Sequence, residues 1–110
     1  MGAPLVGICF CVLSEKGRIK LHEFCGGPIA WDTAGEKVAL PIWTRNRNQR
    51  IAVFDTRDKT LTIFRQTFRV LDLRSFDRNF IYGYDSPIHK TSTLQFDTKS
   101  EKIDTVIQLG

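Results

Sequence analysis

Long apolar runs, catalytic signatures and a cysteine framework are all missing from this chain of 110 residues. The longest uninterrupted apolar stretch, Leu5 to Leu13, is nine residues. That is half of what a helix needs to span a bilayer, and no basic residue precedes it, as one would in a secretory leader. The Met-Gly start carries Val6 where a myristoylation signal carries Ser or Thr. These features predict no membrane partner. No Gly-rich phosphate loop, Gly-x-Ser-x-Gly elbow or His-Glu-x-x-His pair occurs. Asp85, Ser86 and His89 are near neighbours, but triad members normally converge from separate elements. The expectation is therefore a protein with no catalytic residues, and with no cofactor.

Cysteine is scarce: Cys9, Cys11 and Cys25, an odd count without framework spacing. Two thiolates and His22 make at best half of a structural zinc site, so no metal ligands are predicted. Small buried side chains in a reducing compartment are the simpler reading, which places the protein in the cytoplasm.

What is present is repetition. Phe54-Asp55-Thr56 recurs 42 positions later as Phe96-Asp97-Thr98, with a fainter copy at Val12-Leu13-Ser14. A period of that length marks a supersecondary unit used more than once. In each copy an apolar run ends at this tripeptide, charged or small residues follow, and a second apolar run begins. That is strand, turn, strand, with Asp55 and Asp97 placed to accept backbone N–H groups of the turn. Ten strands are predicted: 5–13, 18–24, 28–32, 37–44, 50–55, 60–65, 68–73, 79–84, 92–97 and 102–109. Period-two alternation marks several, such as Val38, Leu40 and Ile42 against Lys37, Ala39 and Pro41. The segment 65–76 has the best claim to a helix, and the claim is weak. The fold class is all-β, an antiparallel meander of about ten short strands in one domain spanning 1–110. Its repeat units fall at about 5–24 (a half unit), 28–65 and 68–109. Val38, Leu40, Ile51, Val53, Leu61, Ile63 and Ile81 form the predicted core.

Ile29-Ala30-Trp31-Asp32, Gly35-Glu36-Lys37-Val38-Ala39-Leu40 and Gln49-Arg50-Ile51-Ala52-Val53-Phe54-Asp55 together resemble one blade of a β-propeller of the WD40 or YVTN kind. There a strand runs into a turn ending in Gly, and an apolar strand, a polar loop and a strand closing on an aromatic-Asp or Ile-Asp pair follow. The resemblance departs in two places: no Gly-His dipeptide opens a blade, and Arg78-Asn79 replaces Gly at the first turn of the second unit. About two and a half blades are present, whereas closed propellers hold at least four. The resemblance thus implies a ring completed by further copies, with sugar sites between blades, or by a partner protein. The alternative is a closed barrel or compact sandwich, and a barrel would leave room for a small apolar ligand.

Charge singles out the middle of the chain. Residues 37–78 carry ten basic and four acidic side chains, a balance of +6 within a net charge of +4. The densest cluster lies between two predicted strands, where Arg45, Arg47 and Arg50 stand beside Trp43. Arginine suits carboxylates, phosphates and aromatic faces. The expected function is a non-catalytic binding module whose loop takes an acidic or hydroxyl-rich partner, a protein or a glycan, acting as a homo-oligomer or within a complex. Arg65, Arg69, Arg74 and Arg78 interleave with Trp43, Phe54, Phe64, Phe68 and Phe76, so a nucleic-acid-binding sheet is the less favoured alternative.

Overall fold

The computed structural model describes residues 7–12, 18–85 and 92–109, with side chains described from residue 25 onward. Strands dominate it: β1 (Gly7–Val12), β2 (Arg18–Cys25), β3 (Ala30–Trp31), β4 (Lys37–Trp43), β5 (Gln49–Asp55), β6 (Thr60–Phe68), β7 (Leu71–Asp77), β8 (Phe80–Asp85), β9 (Ser92–Asp97) and β10 (Ile103–Gln108). The helix entertained over 65–76 is strand and turn instead.

The strands divide into two antiparallel sheets. The larger runs β1-β2-β4-β5-β6-β10, with β3 alongside β4, and the smaller is β7-β8-β9. The closed barrel is therefore not formed. The large sheet ends at β1 and β10, which do not pair with each other, and the chain turns into a second sheet after Phe68.

Alternation along the central strands explains the core. Ala39, Ile51, Val53, Phe64 and Phe68 face the small sheet and pack with its Leu71, Leu73, Phe76, Ile81 and Phe96. Val38, Leu40, Ile42, Ala52, Phe54, Leu61 and Ile63 point the other way into a second buried cluster, with Cys25. All seven predicted core residues are buried. In strand β4 both alternating sets are covered: Val38 through Ile42 are all buried, as in a central strand packed on each side. The Phe96 ring meets Phe64 edge-on at 5.0 Å between centroids and Phe68 at 6.2 Å, a favoured aromatic geometry.

The two turns that carry the repeated tripeptide make matching bonds. Asp55 Oδ1 accepts the Arg57 N–H at 2.9 Å, and Asp97 Oδ1 accepts the Lys99 N–H at 3.0 Å. Thr56 donates from its amide and hydroxyl to the Glu36 carbonyl, and Thr98 does the same to the Asn79 carbonyl. The strands after the turns differ. β6 returns along β5, whereas β10 leaves β9 and pairs antiparallel with β6. The Phe64–Phe96 ring contact links β6 to β9 across the core between the two sheets. The outcome differs from a simple meander at β3, which β2 passes to pair with β4, at the step from β6 to β7, and at β10.

Cys25 is buried and disulfide-bonded, a correction to the reading of the cysteines as reduced thiols. The side chains of Cys9, Cys11 and His22 lie outside the described residues.

Candidate arginine cleft

Four residues define the predicted binding loop, and the strands place them unequally. Trp43 ends β4 and pairs across the ladder with Gln49 at the start of β5. Between them a tight turn is closed by Thr44 N–H donating to the Asn48 carbonyl at 2.8 Å and Arg47 N–H to the Thr44 carbonyl at 3.2 Å. Thr44 Oγ1 accepts the Asn46 N–H at 3.3 Å. Arg47 sits at the tip with φ 63°, a left-handed backbone that costs a side-chain-bearing residue about 1 kcal/mol or more.

Arg50 lies on a strand, at the start of the expected strand 50–55. It follows Gln49 on β5 and pairs with Ile42, and its guanidinium reaches Asp104 of β10 at 3.0 Å. Trp43, Arg45 and Arg50 line one cleft of about 540 Å³, together with Ile42, Thr44, Ile63 and Asp104, and Arg47 is not among its lining residues. The cleft has an apolar floor and a rim of guanidinium and hydroxyl groups, with one acidic side chain. Two donors in its wall, Trp43 Nε1 and Arg50 Nε, are buried with no hydrogen-bond partner among the described residues. Buried polar groups are nearly always bonded, so these two donors are exceptions within the protein.

Sequence reasoning missed Gln49. It reads as one more polar loop residue, yet it is 2% exposed, and its Oε1 accepts the Leu71 N–H at the start of β7. No local pattern reveals it, because the partner lies 22 residues away. Asp104 was missed as well, and only the transfer of β10 onto β6 brings it to Arg50.

The alternative nucleic-acid reading relied on aromatics that the fold uses elsewhere. Phe54, Phe64, Phe68 and Phe76 are at most 7% exposed, so none offers a face for a base. Of the triad-like neighbours, Asp85 holds the β6–β7 turn by accepting the Arg69 and Val70 N–H groups at 3.1 and 2.9 Å. Ser86 and His89 lie outside the described residues. Among the described residues no three His, Cys, Asp or Glu side chains gather, and no helix is long and apolar enough to cross a membrane. No family model, curated protein or solved structure matches this chain.

Proposed function

We propose that this protein is a non-catalytic binding module that takes an acidic or hydroxyl-rich partner, protein or glycan, into the cleft beside Trp43. The observation that carries the reading is the convergence of one indole and two guanidinium groups, Trp43, Arg45 and Arg50, on one apolar-floored cleft. Clefts of this kind bind by apolar contact and orient by a few polar groups. Arg45 is exposed and ready. Arg50 is held by Asp104, so an incoming carboxylate competes with that side chain for the same cation.

The proposal extends to assembly. The matched turns at Asp55 and Asp97 and the face-to-face sheets favour propeller-like units that further copies or a partner protein complete. The disulfide at Cys25 favours an oxidising compartment over the cytoplasm.

A panel of acidic peptides and of anionic and neutral glycans tests the cleft. Arg45→Ser should weaken the best binder by about tenfold, the size of one charged hydrogen bond. Arg47→Ser should change it little, and added salt should weaken a charged ligand. Equal affinity of wild type and the Arg45→Ser variant across the panel would remove the cleft from consideration.

A further inference from the structure

A second surface, on the opposite side of the small sheet from its core, is built differently from the arginine cleft. Phe80, Tyr82 and Tyr84 alternate along β8 with the inward Ile81, so their rings share the outward face. Tyr82 and Tyr84 are 38% and 37% exposed. Phe80 and Tyr82 stack at 6.2 Å between centroids, 29° apart, and the Arg74 guanidinium lies 5.8 Å from the Tyr84 ring. A shallow hollow of about 230 Å³ opens between Tyr82, Tyr84, Arg74 and Thr93.

Register sets the neighbours of each ring. Tyr82 stands opposite Ser75 on β7 and Gln95 on β9; Tyr84 stands opposite Asp72 and Thr93; Phe80 stands opposite Asp77 and Asp97. Residues directly opposed across a ladder share a face within side-chain reach. A central row of aromatics is thus flanked on both sides by hydroxyl, amide and carboxylate groups. Arg74 is already bonded to Asp72 at 2.8 Å. The side chains of Asp77 and Gln95 have no hydrogen-bond or ion-pair partner among the described residues.

We infer that this face is a binding platform for a neutral oligosaccharide, separate from the arginine cleft. A pyranose presents a C–H face that lies flat on an aromatic ring, and a rim of hydroxyls that bond to groups at the ring's sides. Tyrosine combines both properties in one rigid side chain. Charge selects against an anionic ligand: three aspartates and one arginine occupy the face, and the field repels phosphate, sulfate and uronate. The same charge disfavours a second protein sheet as occupant. Covering the face with protein would desolvate the Asp77 carboxylate and the Gln95 amide, at a large cost wherever the partner brings no matching group, whereas every sugar hydroxyl can donate to them. Carboxylate acceptors strengthen such bonds.

Affinity electrophoresis of the full chain tests this inference, in gels cast with a soluble β-glucan, a xylan or a mannan, and with alginate as the anionic control. At least one neutral polysaccharide should retard the protein, with little effect of added salt, and alginate should not retard it through this face. Tyr82→Ala and Tyr84→Ala should each weaken retardation by about tenfold, as expected for one lost stacking contact. Tyr82→Phe should keep most of it. Gln95→Ala, an exposed polar change that leaves the sheet intact, should weaken it severalfold and decides the matter if a tyrosine variant does not fold. Arg45→Ser should leave it unchanged, which separates this platform from the arginine cleft. The inference is overturned if no neutral polysaccharide retards the chain or if retardation follows Arg45 instead of Tyr82. Conversion of a dimer to a monomer by Tyr82→Ala in light scattering would overturn it too, since the occupant would then be a second copy.

Discussion

Backbone sign at single residues decides how the turns of this protein are tolerated. Gly35 has φ 72°, and Arg78 has φ 56° at the comparable turn before β8. Asn79 next to Arg78 accepts from Thr98 as Glu36 next to Gly35 accepts from Thr56. The departure from glycine thus keeps the turn and bears a local strain. Left-handed backbone costs a residue with a side chain about 1–2 kcal/mol, while glycine loses about 0.5–1 kcal/mol through unfolded-state entropy. Arg78→Gly should therefore stabilise the fold by about 0.5–1 kcal/mol in chemical denaturation, and Gly35→Ala should destabilise it. A loss of stability in Arg78→Gly would show that the Arg78 side chain makes a contribution larger than its strain. Gln49 argues the opposite case, a residue whose side chain matters more than its backbone. Gln49→Ala removes the acceptor of the buried Leu71 N–H and should cost about 1–3 kcal/mol. A cost near that of an exposed polar residue would mean that water replaces the amide.

Two strands with similar sequences behave in opposite ways at the element scale. β4 is buried along Val38–Ile42, whereas every residue of β10 is exposed, including Ile103, Val106 and Ile107. Leu40→Ala should cost about 2–5 kcal/mol by cavity formation, and Val106→Ala should stay within about 0.5 kcal/mol. Urea unfolding of the two variants reads the contrast directly. Hydrophobic periodicity foretold that both segments are strands, and the seven core residues were legible from alternation. The fate of β10 was not, because Ile-Asp-Thr-Val-Ile-Gln carries the same β-forming residues as a central strand. The boundary near Phe68–Leu73 was misplaced for a related reason. Asp85 and Gln49 take the backbone donors of Arg69, Val70 and Leu71 from 15 to 22 residues away, and such acceptors end one strand and start the next with no local mark.

The whole molecule ends its large sheet on β10, an edge with apolar side chains exposed. Such an edge is a template for another strand where it is not charged, bulged or covered, and β10 is irregular only between Ile103 and Thr105, leaving 105–108 in regular register. The chain is therefore expected to self-associate or to bind a partner strand through β10. In size-exclusion chromatography with light scattering, the wild type should run above the mass of one chain. Ile103→Lys with Val106→Lys should return it to one chain without loss of melting temperature, since charge on an edge blocks pairing. A wild-type monomer at micromolar concentration would place β10 among harmless edges. The arginine cleft belongs to the same scale: Trp43, Arg45 and Arg50 were visible in the sequence as a cluster, and Asp104 completes the cleft only because β10 crosses to β6.

Local order was determined by the chain itself: strands where β-branched and aromatic residues alternate, turns where Asp55 and Asp97 can accept backbone donors, and a buried set at Val38, Leu40, Ile51, Val53, Leu61, Ile63 and Ile81. Those features depend on interactions a few residues long, and their signals lie within reach of one another in sequence. Tertiary structure alone decided the split into two sheets, the pairing of β10 with β6, the separation of Arg47 from the cleft and the exposed row of Phe80, Tyr82 and Tyr84. Each of these is set by which faces pack together. An alternating strand has two faces of defined character, but nothing along its own length says which neighbour will cover each one, or whether any will.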